Sequence, residues 1–451
     1  MAGSLTGGEA EARAAVDAAR RAFENTDWGR DRALRSRVLL ELAELFEARA
    51  PELALMLTRE NGKTLAEATG EVGARAATLR HNAAQALTDV GTASEVAPGQ
   101  YFSSLAEPVG VVAIIVPWNA PVALFIRSLA PALAAGNTVA AKLPGQTALT
   151  NALIAEIASE APSLPAGVVN MFTESGNAGA PFFIQSADMV SFTGSIEVGR
   201  QIAAAGAPTL KRMNLELGGK TPMIVFDDAP LASTFPILAV GVTTFAGQNC
   251  MAGSRILVQR GIADQVREHL RERLTDVVVG PGEEPNTQMG PLIDFAAVAR
   301  VDRIVEDSAS YGKVIVRGGP VSDGTLAFGA FYRPSLIEVE DLDAPIIQQE
   351  IFGPVATFEV FDDEKDAIHR ANATEFGLAA GVFTRDVDRA RRVSRQINAG
   401  TVWTNTWMVI NNGFEEGGYK QSGLGRLRGA RGLADFQEIK TYVHFVPPAG
   451  D

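Results

Sequence analysis

Two doubly wound α/β units are predicted by three features of this 451-residue chain. Short apolar runs of strand length alternate with helix-length segments from residue 109 to about 205. The alternation restarts near Thr221 and continues to about residue 404. No period of about 20 to 50 residues relates the two stretches, so they read as separate domains and not as repeats.

Each element has a local reason. Residues from about 9 to 90 read as helices, because Leu34, Val38, Leu42, Leu45 and Phe46 recur at three- or four-residue spacing and form one apolar face. Asp31 stands where an N-cap belongs. Val109–Val116, ending at Pro117, is a buried strand, and Pro121–Ala135 is a helix closed by Gly136. A strand (137–142), a helix (147–160), strands at Val168–Phe172 and Met189–Thr193, and a helix from Gly194 to about Ala205 complete the first unit. In the second, Pro222–Phe226 is a strand and 230–245 a helix. Strand Ile256–Gln259, helices 262–276 and 295–311, and strand 313–317 follow. Strands near 355–360, 379–383 and 400–404 finish that unit. Gly417–Gly432 is expected as a glycine-rich loop and Lys440–Val446 as a terminal strand.

Composition excludes several functions. The chain is 46% hydrophobic and 21% charged, as an ordinary globular protein is. A formal net charge of -13 argues against nonspecific nucleic-acid binding. One cysteine excludes an internal disulfide framework, and four histidines without close spacing exclude a histidine-rich metal site. Met1–Glu9 lacks a basic segment followed by an apolar one, and Val109–Val116 is too short to span a bilayer. These features imply a reduced, cytoplasmic setting with no membrane partner.

Chemistry concentrates in a few segments. Glu216-Leu-Gly-Gly-Lys220 and Phe245-Ala-Gly-Gln-Asn-Cys250 lie 34 positions apart, counted from Glu216 to Cys250. A thiolate attacks carbonyls well, and a carboxylate can activate water for a second step. A lone cysteine is otherwise a small buried hydrophobe, but Gly247-Gln-Asn is turn chemistry and not an apolar run. Val116-Pro-Trp-Asn-Ala-Pro121 fixes Asn119 between two prolines, where its amide can meet a substrate oxygen or simply serve a turn. Phe192-Thr-Gly-Ser-Ile-Glu-Val-Gly199 follows a strand and opens a helix, which suits a pyrophosphate. Glu350-Ile-Phe-Gly-Pro354 offers a carboxylate and an aromatic ring in a tight turn, or a surface glutamate and a core phenylalanine.

Taken together and in this order, these segments resemble the aldehyde dehydrogenase superfamily. Lys142, Asn372 with Gly377-Leu378, Gly400-Thr-Val-Trp-Thr-Asn405 and Gly417-Gly-Tyr-Lys-Gln-Ser-Gly-Leu-Gly-Arg426 extend the resemblance over nearly the whole chain from about residue 9. It implies NAD(P)+-dependent oxidation of an aldehyde to a carboxylic acid. Cys250 would be the nucleophile, Asn119 with the Cys250 N–H the oxyanion hole, and Glu216 the base for hydrolysis. Glu350 and Phe352 would hold the nicotinamide end. Lys142 would bind the adenosine ribose, and Trp118, Gly194 and Ser195 would line the pyrophosphate path.

The fold it implies is a Rossmann-like cofactor domain over 1–90 and 107–219, a catalytic domain over 220–430, and projecting oligomerisation strands over 91–106 and 437–447. A homodimer or homotetramer follows. Two rival readings are a CoA-acylating relative, which Glu216 argues against, and a catalytically idle binding protein, which intact Cys250, Glu216 and Asn119 argue against.

Four departures stand out. The strands that often precede the first helix are expected to be missing. Gly145 stands where a ribose-binding glutamate is common, which implies dual or NADP-leaning cofactor use, or else simply weaker NAD binding. Glu415-Glu416 replaces the usual Pro-Phe, which would favour a polar or cationic substrate or else form a solvated rim. Leu427 replaces a glutamate that can help relay the proton of the general base.

Overall fold

The computed structural model describes residues 6–88 and 91–447. Residues 1–5 of the N-terminal stretch weighed as a signal, and residues 89 and 90 at the predicted domain junction, lie outside the described residues. Five helices come first: α1 (Glu9–Asn25), α2 (Arg32–Ala48), α3 (Ala50–Asn61), α4 (Leu65–Gly73) and α5 (Arg75–Thr88). Asp31 caps α2 by accepting from Leu34 N at 2.8 Å. Thr64 and Glu67 form a reciprocal capping box on α4.

Strands β1 (Thr92–Ala97) and β2 (Gln100–Pro108) lead into the first α/β unit. It contains β3 (Val111–Ile115), α6 (Pro121–Ala135), β4 (Thr138–Pro144), α7 (Ala148–Ser159), β5 (Val169–Glu174), α8 (Ala180–Ser186), β6 (Met189–Thr193), α9 (Ile196–Gly206) and β7 (Arg212–Glu216). The second unit runs through β8 (Pro222–Val225), α10 (Leu231–Thr243), β9 (Arg255–Gln259), α11 (Ala263–Thr275), α12 (Phe295–Ser308) and β10 (Lys313–Val316). A two-residue ladder, β11 (Gly319–Pro320) with β12 (Tyr332–Arg333), precedes β13 (Ser335–Glu338) and α13 (Pro345–Gln348). Then come β14 (Val355–Phe361), α14 (Glu364–Ala371), β15 (Ala379–Phe383), α15 (Val387–Ser394) and β16 (Thr401–Thr404). The chain closes with β17 (Gly423–Leu424), α16 (Gly429–Ala434) and β18 (Gln437–Phe445).

The first sheet has the order β17-β7-β6-β3-β4-β5, and only β17 is antiparallel. Chain order reverses between β3 and β6, which opens a crevice at the carboxyl ends of the strands. That edge carries Val116–Asn119, Lys142–Gly145, Thr193–Ser195 and the residues after Glu216. Its two faces bury different clusters: Leu39, Leu42, Phe125 and Leu133 on one side, Phe183, Val190 and Ile202 on the other. Gly136 closes α6 at φ 99°, a left-handed turn that a side chain would strain.

The second sheet has the order β10-β13-β14-β9-β8-β15-β16 and is parallel except for β10. A third, antiparallel sheet joins β1, β2 and β18, with Tyr101 opposite His444 and Leu105 opposite Lys440.

Gly417–Gly432, expected as loop, contains β17 and the start of α16. Although the sequence places residues up to 430 with the second unit, β17 pairs with β7. Leu427, Leu433 and Phe436 enter the core of the first unit. The glycines hide these contacts, because pairing and burial here come from distant partners and not from local periodicity. Among the described residues no helix is long and apolar enough to cross a membrane, and no cluster of three metal-ligating side chains occurs.

Candidate active site

Cys250 lies beyond a strained turn. Phe245, Ala246 and Gly247 all adopt left-handed backbone, at φ 55°, 53° and 69°. For the two residues with side chains this costs about 1–3 kcal/mol each and persists only where the surroundings enforce it. Glu67 Oε1 accepts from Phe245 N at 2.7 Å, and Lys63 Nζ lies 3.8 Å from the Phe245 ring centroid. Gln248 Oε1 accepts from Ile293 N at 2.9 Å. Gly219 is required beside the thiol loop, since a Cβ there would strike the Cys250 carbonyl oxygen.

A cavity of about 580 Å³ holds Cys250 with Asn119, Met251, Met408 and Arg127 in its wall. Asn119 is buried and spends one amide N–H on Gln248 O at 3.0 Å, while its Oδ1 has no partner among the described residues. Lys63 donates to Asn119 O at 2.7 Å and pairs with Glu71, which accepts from Val122 N and Ala123 N at 3.1 Å each. One short helix, α4, thus ties both the asparagine loop and the thiol loop.

Arg127 connects this cavity to Glu216. Its Nη1 is 3.9 Å from Glu216 Oε2 and also bonds Glu416, and Nη2 donates to Thr193 Oγ1 at 3.0 Å. Burial pushes the Glu216 carboxyl up to about 7; Arg127 opposes the rise and Glu416 adds to it. Burial likewise pushes the Cys250 thiol up to about 12, against Arg127 and with Glu350, Glu416 and Glu216. The resting sulfur is therefore a thiol, and a base must take its proton before it attacks.

Glu416 is buried, not exposed at a negatively charged mouth. Burial would raise its carboxyl, but Arg127 and Arg428 outweigh that and hold it at about 2. Arg428 Nε donates to it at 2.7 Å. Glu415 is exposed and accepts from Arg431 N at 3.3 Å. The pair expected to attract a cation thus splits into one neutralised acid and one solvated acid. Arg75 also lines the cavity; burial, more than Arg428, lowers it to about 10, so it stays charged at neutral pH.

The other expected residues gather along the sheet edge. Trp118 and Phe352 meet edge to face with centroids 5.6 Å apart, and Phe352 is held at φ 51°. Arg300 donates to Ile351 O at 2.6 Å and supports that turn. Glu350 accepts from Gly219 N at 3.2 Å, and burial raises its carboxyl to about 7. Ser195 caps α9 by accepting from Val198 N at 3.3 Å, and Gly194 N donates to Glu216 O at 3.0 Å. Lys142 Nζ stands 3.7 Å from Glu174 Oε2.

Sequence reasoning missed Arg127, Arg75, Arg428 and Glu174. Arg127 had a signal, as the single charged residue in the 15-residue helix α6. Arg75, Arg428 and Glu174 lie in none of the segments in which the sequence concentrates chemistry.

The sequence profile described as the Aldehyde dehydrogenase family matches residues 2–442. The chain is 37% identical over 448 residues to the betaine aldehyde dehydrogenase of Bacillus subtilis (strain 168), covering 98% of this chain and 91% of that one. It is 37% identical over 445 residues to the succinate-semialdehyde dehydrogenase (NADP+) of Escherichia coli (strain K12), covering 96% and 89%. A crystal structure of betaine aldehyde dehydrogenase from Staphylococcus aureus in complex with NAD+ superimposes with a TM-score of 0.94 at 34% identity, covering 97% and 88%.

Proposed function

The chain belongs to the aldehyde dehydrogenase family, and from that premise we propose that Cys250, Asn119 and Glu216 carry out its reaction in that order. The protein is an NAD(P)-dependent aldehyde dehydrogenase. The observation that supports the residue roles is the shared cavity: Cys250 and Asn119 line it together, and its wall residue Arg127 touches Glu216.

Glu216, with a carboxyl near 7, is the base available to a neutral thiol at physiological pH. The Cys250 sulfur adds to the aldehyde carbon, and the oxyanion is received by the second N–H of Asn119 and by the Cys250 N–H. NAD(P)+, when bound, supplies the hydride acceptor that leaves a thioester on Cys250. Glu216, after passing the thiol proton to solvent, takes a proton from water, the hydroxide adds to the acyl carbon, and the Cys250 thiolate leaves as the acid forms.

The crevice suits the cofactor by its own geometry. The α9 N-terminus with Gly194 and Ser195 suits the pyrophosphate, and Trp118 with Phe352 and Glu350 suits the nicotinamide end. Lys142 suits the adenosine ribose, with the first sheet as cofactor domain and the second as catalytic domain. The three-stranded sheet exposes Tyr101, Leu105, Ile439, Val443 and Phe445, which supports a homodimer or homotetramer built on it. The one free thiol suits a reducing, cytoplasmic setting.

The test is absorbance of reduced cofactor from purified protein with an aldehyde panel, with and without CoA. Turnover that needs no CoA is expected. A strict CoA requirement would overturn the hydrolytic route, and light scattering that gave a monomer would overturn the assembly.

A further inference from the structure

The corner formed by the carboxyl ends of β4 and β5 holds an acid that no motif announced. Lys142 is in register with Phe172 and Pro144 with Glu174, so the lysine and the glutamate share one face of the sheet. Glu174 is 2% exposed and Lys142 8%. At 3.7 Å they form an ion pair too long for a hydrogen bond. Glu174 Oε1 accepts from Gly179 N at 3.0 Å, but among the described residues Oε2 has no hydrogen-bond partner. A buried carboxylate oxygen left open in this way needs an explanation, and a ligand hydroxyl is one.

Gly145 adds an independent observation. A Cβ there would run into Ser175, striking its hydroxyl and coming within 2.9 Å of its Cα. Ser175 follows Glu174 directly. The two departures are thus one rearrangement: the strand end that crowds out a side chain at 145 also delivers a carboxylate to Lys142.

We propose that Glu174 makes this corner select NAD over NADP, by keeping Lys142 engaged and by setting a negative charge where a 2′-phosphate would approach. This rests on the reading of Lys142 as a ribose-binding residue. Ribose hydroxyls can donate to a carboxylate, whereas a phosphate carries between about one and two negative charges that a carboxylate repels. A free lysine would attract that phosphate as a point charge, but this one is already paired. The reading runs against the NADP lean that Gly145 alone suggests. It also disqualifies Gly145→Glu as a clean probe, because the new side chain would collide with Ser175.

The test uses the full-length protein with NAD+ and NADP+ at one aldehyde, and with 5′-AMP and 2′-AMP as competing ligands. The wild type, Glu174→Gln, Lys142→Gln and the double variant are compared; glutamine retains an acceptor for Gly179 N. The wild type is expected to favour NAD+ by about tenfold or more in kcat/KM. Glu174→Gln is expected to move that ratio toward NADP+ by about tenfold, or 1.4 kcal/mol, and to tighten 2′-AMP but not 5′-AMP. The double variant should lose the gain. A wild type that uses both cofactors equally, or a Glu174→Gln ratio within about twofold of wild type while 5′-AMP still competes, overturns the proposal. If Lys142→Gln leaves both nucleotides unaffected, the ribose reading fails and the proposal falls with it.

Discussion

The catalytic cavity and the Lys142 corner each bury a carboxylate away from the position where the family resemblance leads one to look, and they hold it in opposite ways. In the cavity, Leu427 is a buried core residue, and the acid sits across a backbone bridge from it, on Glu416. Two arginines grip Glu416 and leave its charge fully compensated. At the other corner, among the described residues, Glu174 has a single lysine at 3.7 Å and one oxygen without a hydrogen-bond partner. The first arrangement is a fixed structural charge that shapes the field around Glu216. The second leaves a carboxylate oxygen unspent, which is what the proposed ribose contact requires.

The largest expected effect falls on the chemistry that this field serves. Cys250→Ala should cut turnover by more than about 10⁴-fold while cofactor binding and thermal midpoint stay near wild type. Retained turnover would end the nucleophile assignment.

Glu416→Gln tests the fixed charge. It leaves Arg127 and Arg428 buried against a neutral amide, and breaking a buried pair costs about 3–5 kcal/mol. A large drop in thermal midpoint should follow, and Glu174→Gln should cause a much smaller one. Equal losses would erase the contrast between the two corners.

The pH profile sharpens the comparison further. Glu216 works as a base in its ionised form, and its carboxyl is raised to about 7. kcat/KM should therefore climb with pH through about 7 and level off above it. Glu216→Gln should remove that limb and depress the burst of reduced cofactor together with turnover; an intact burst followed by a stalled acyl-enzyme, with added mass on the Cys250 peptide, would confine Glu216 to the hydrolytic step. A profile flat from pH 6 to 8 would count against Glu216 as the base.

The smallest effect belongs to the scaffold. Thr64→Ala removes the α4 cap and should cost about 1 kcal/mol of stability. It should leave kcat near wild type, because Glu67 and Glu71 keep their contacts to the two loops. A large loss of kcat would show that the cap sets site geometry as well.

Much of the parallel architecture was legible because its strands are apolar runs with punctuation on either side, as in Met189–Thr193 and Ala379–Phe383. β7 was not read as a strand: Arg-Met-Asn-Leu-Glu alternates polar and apolar residues over only five positions, and its polar Asn214 and Glu216 are buried by neighbouring strands and not by any local pattern. β13 is four residues long, and α8, α14 and α15 are seven or eight residues each, too short for a helical period to stand out.

By itself the sequence determined the thiol loop, the Glu216 segment, the Asp31 cap and most of the parallel strands, since these depend on residues close together in the chain. Only the tertiary structure decided which charges meet. Arg127 reaches Glu416 across 289 positions and Lys142 finds Glu174 on the next strand. A buried ion pair is a property of two surfaces brought together, and neither partner's local sequence records the other.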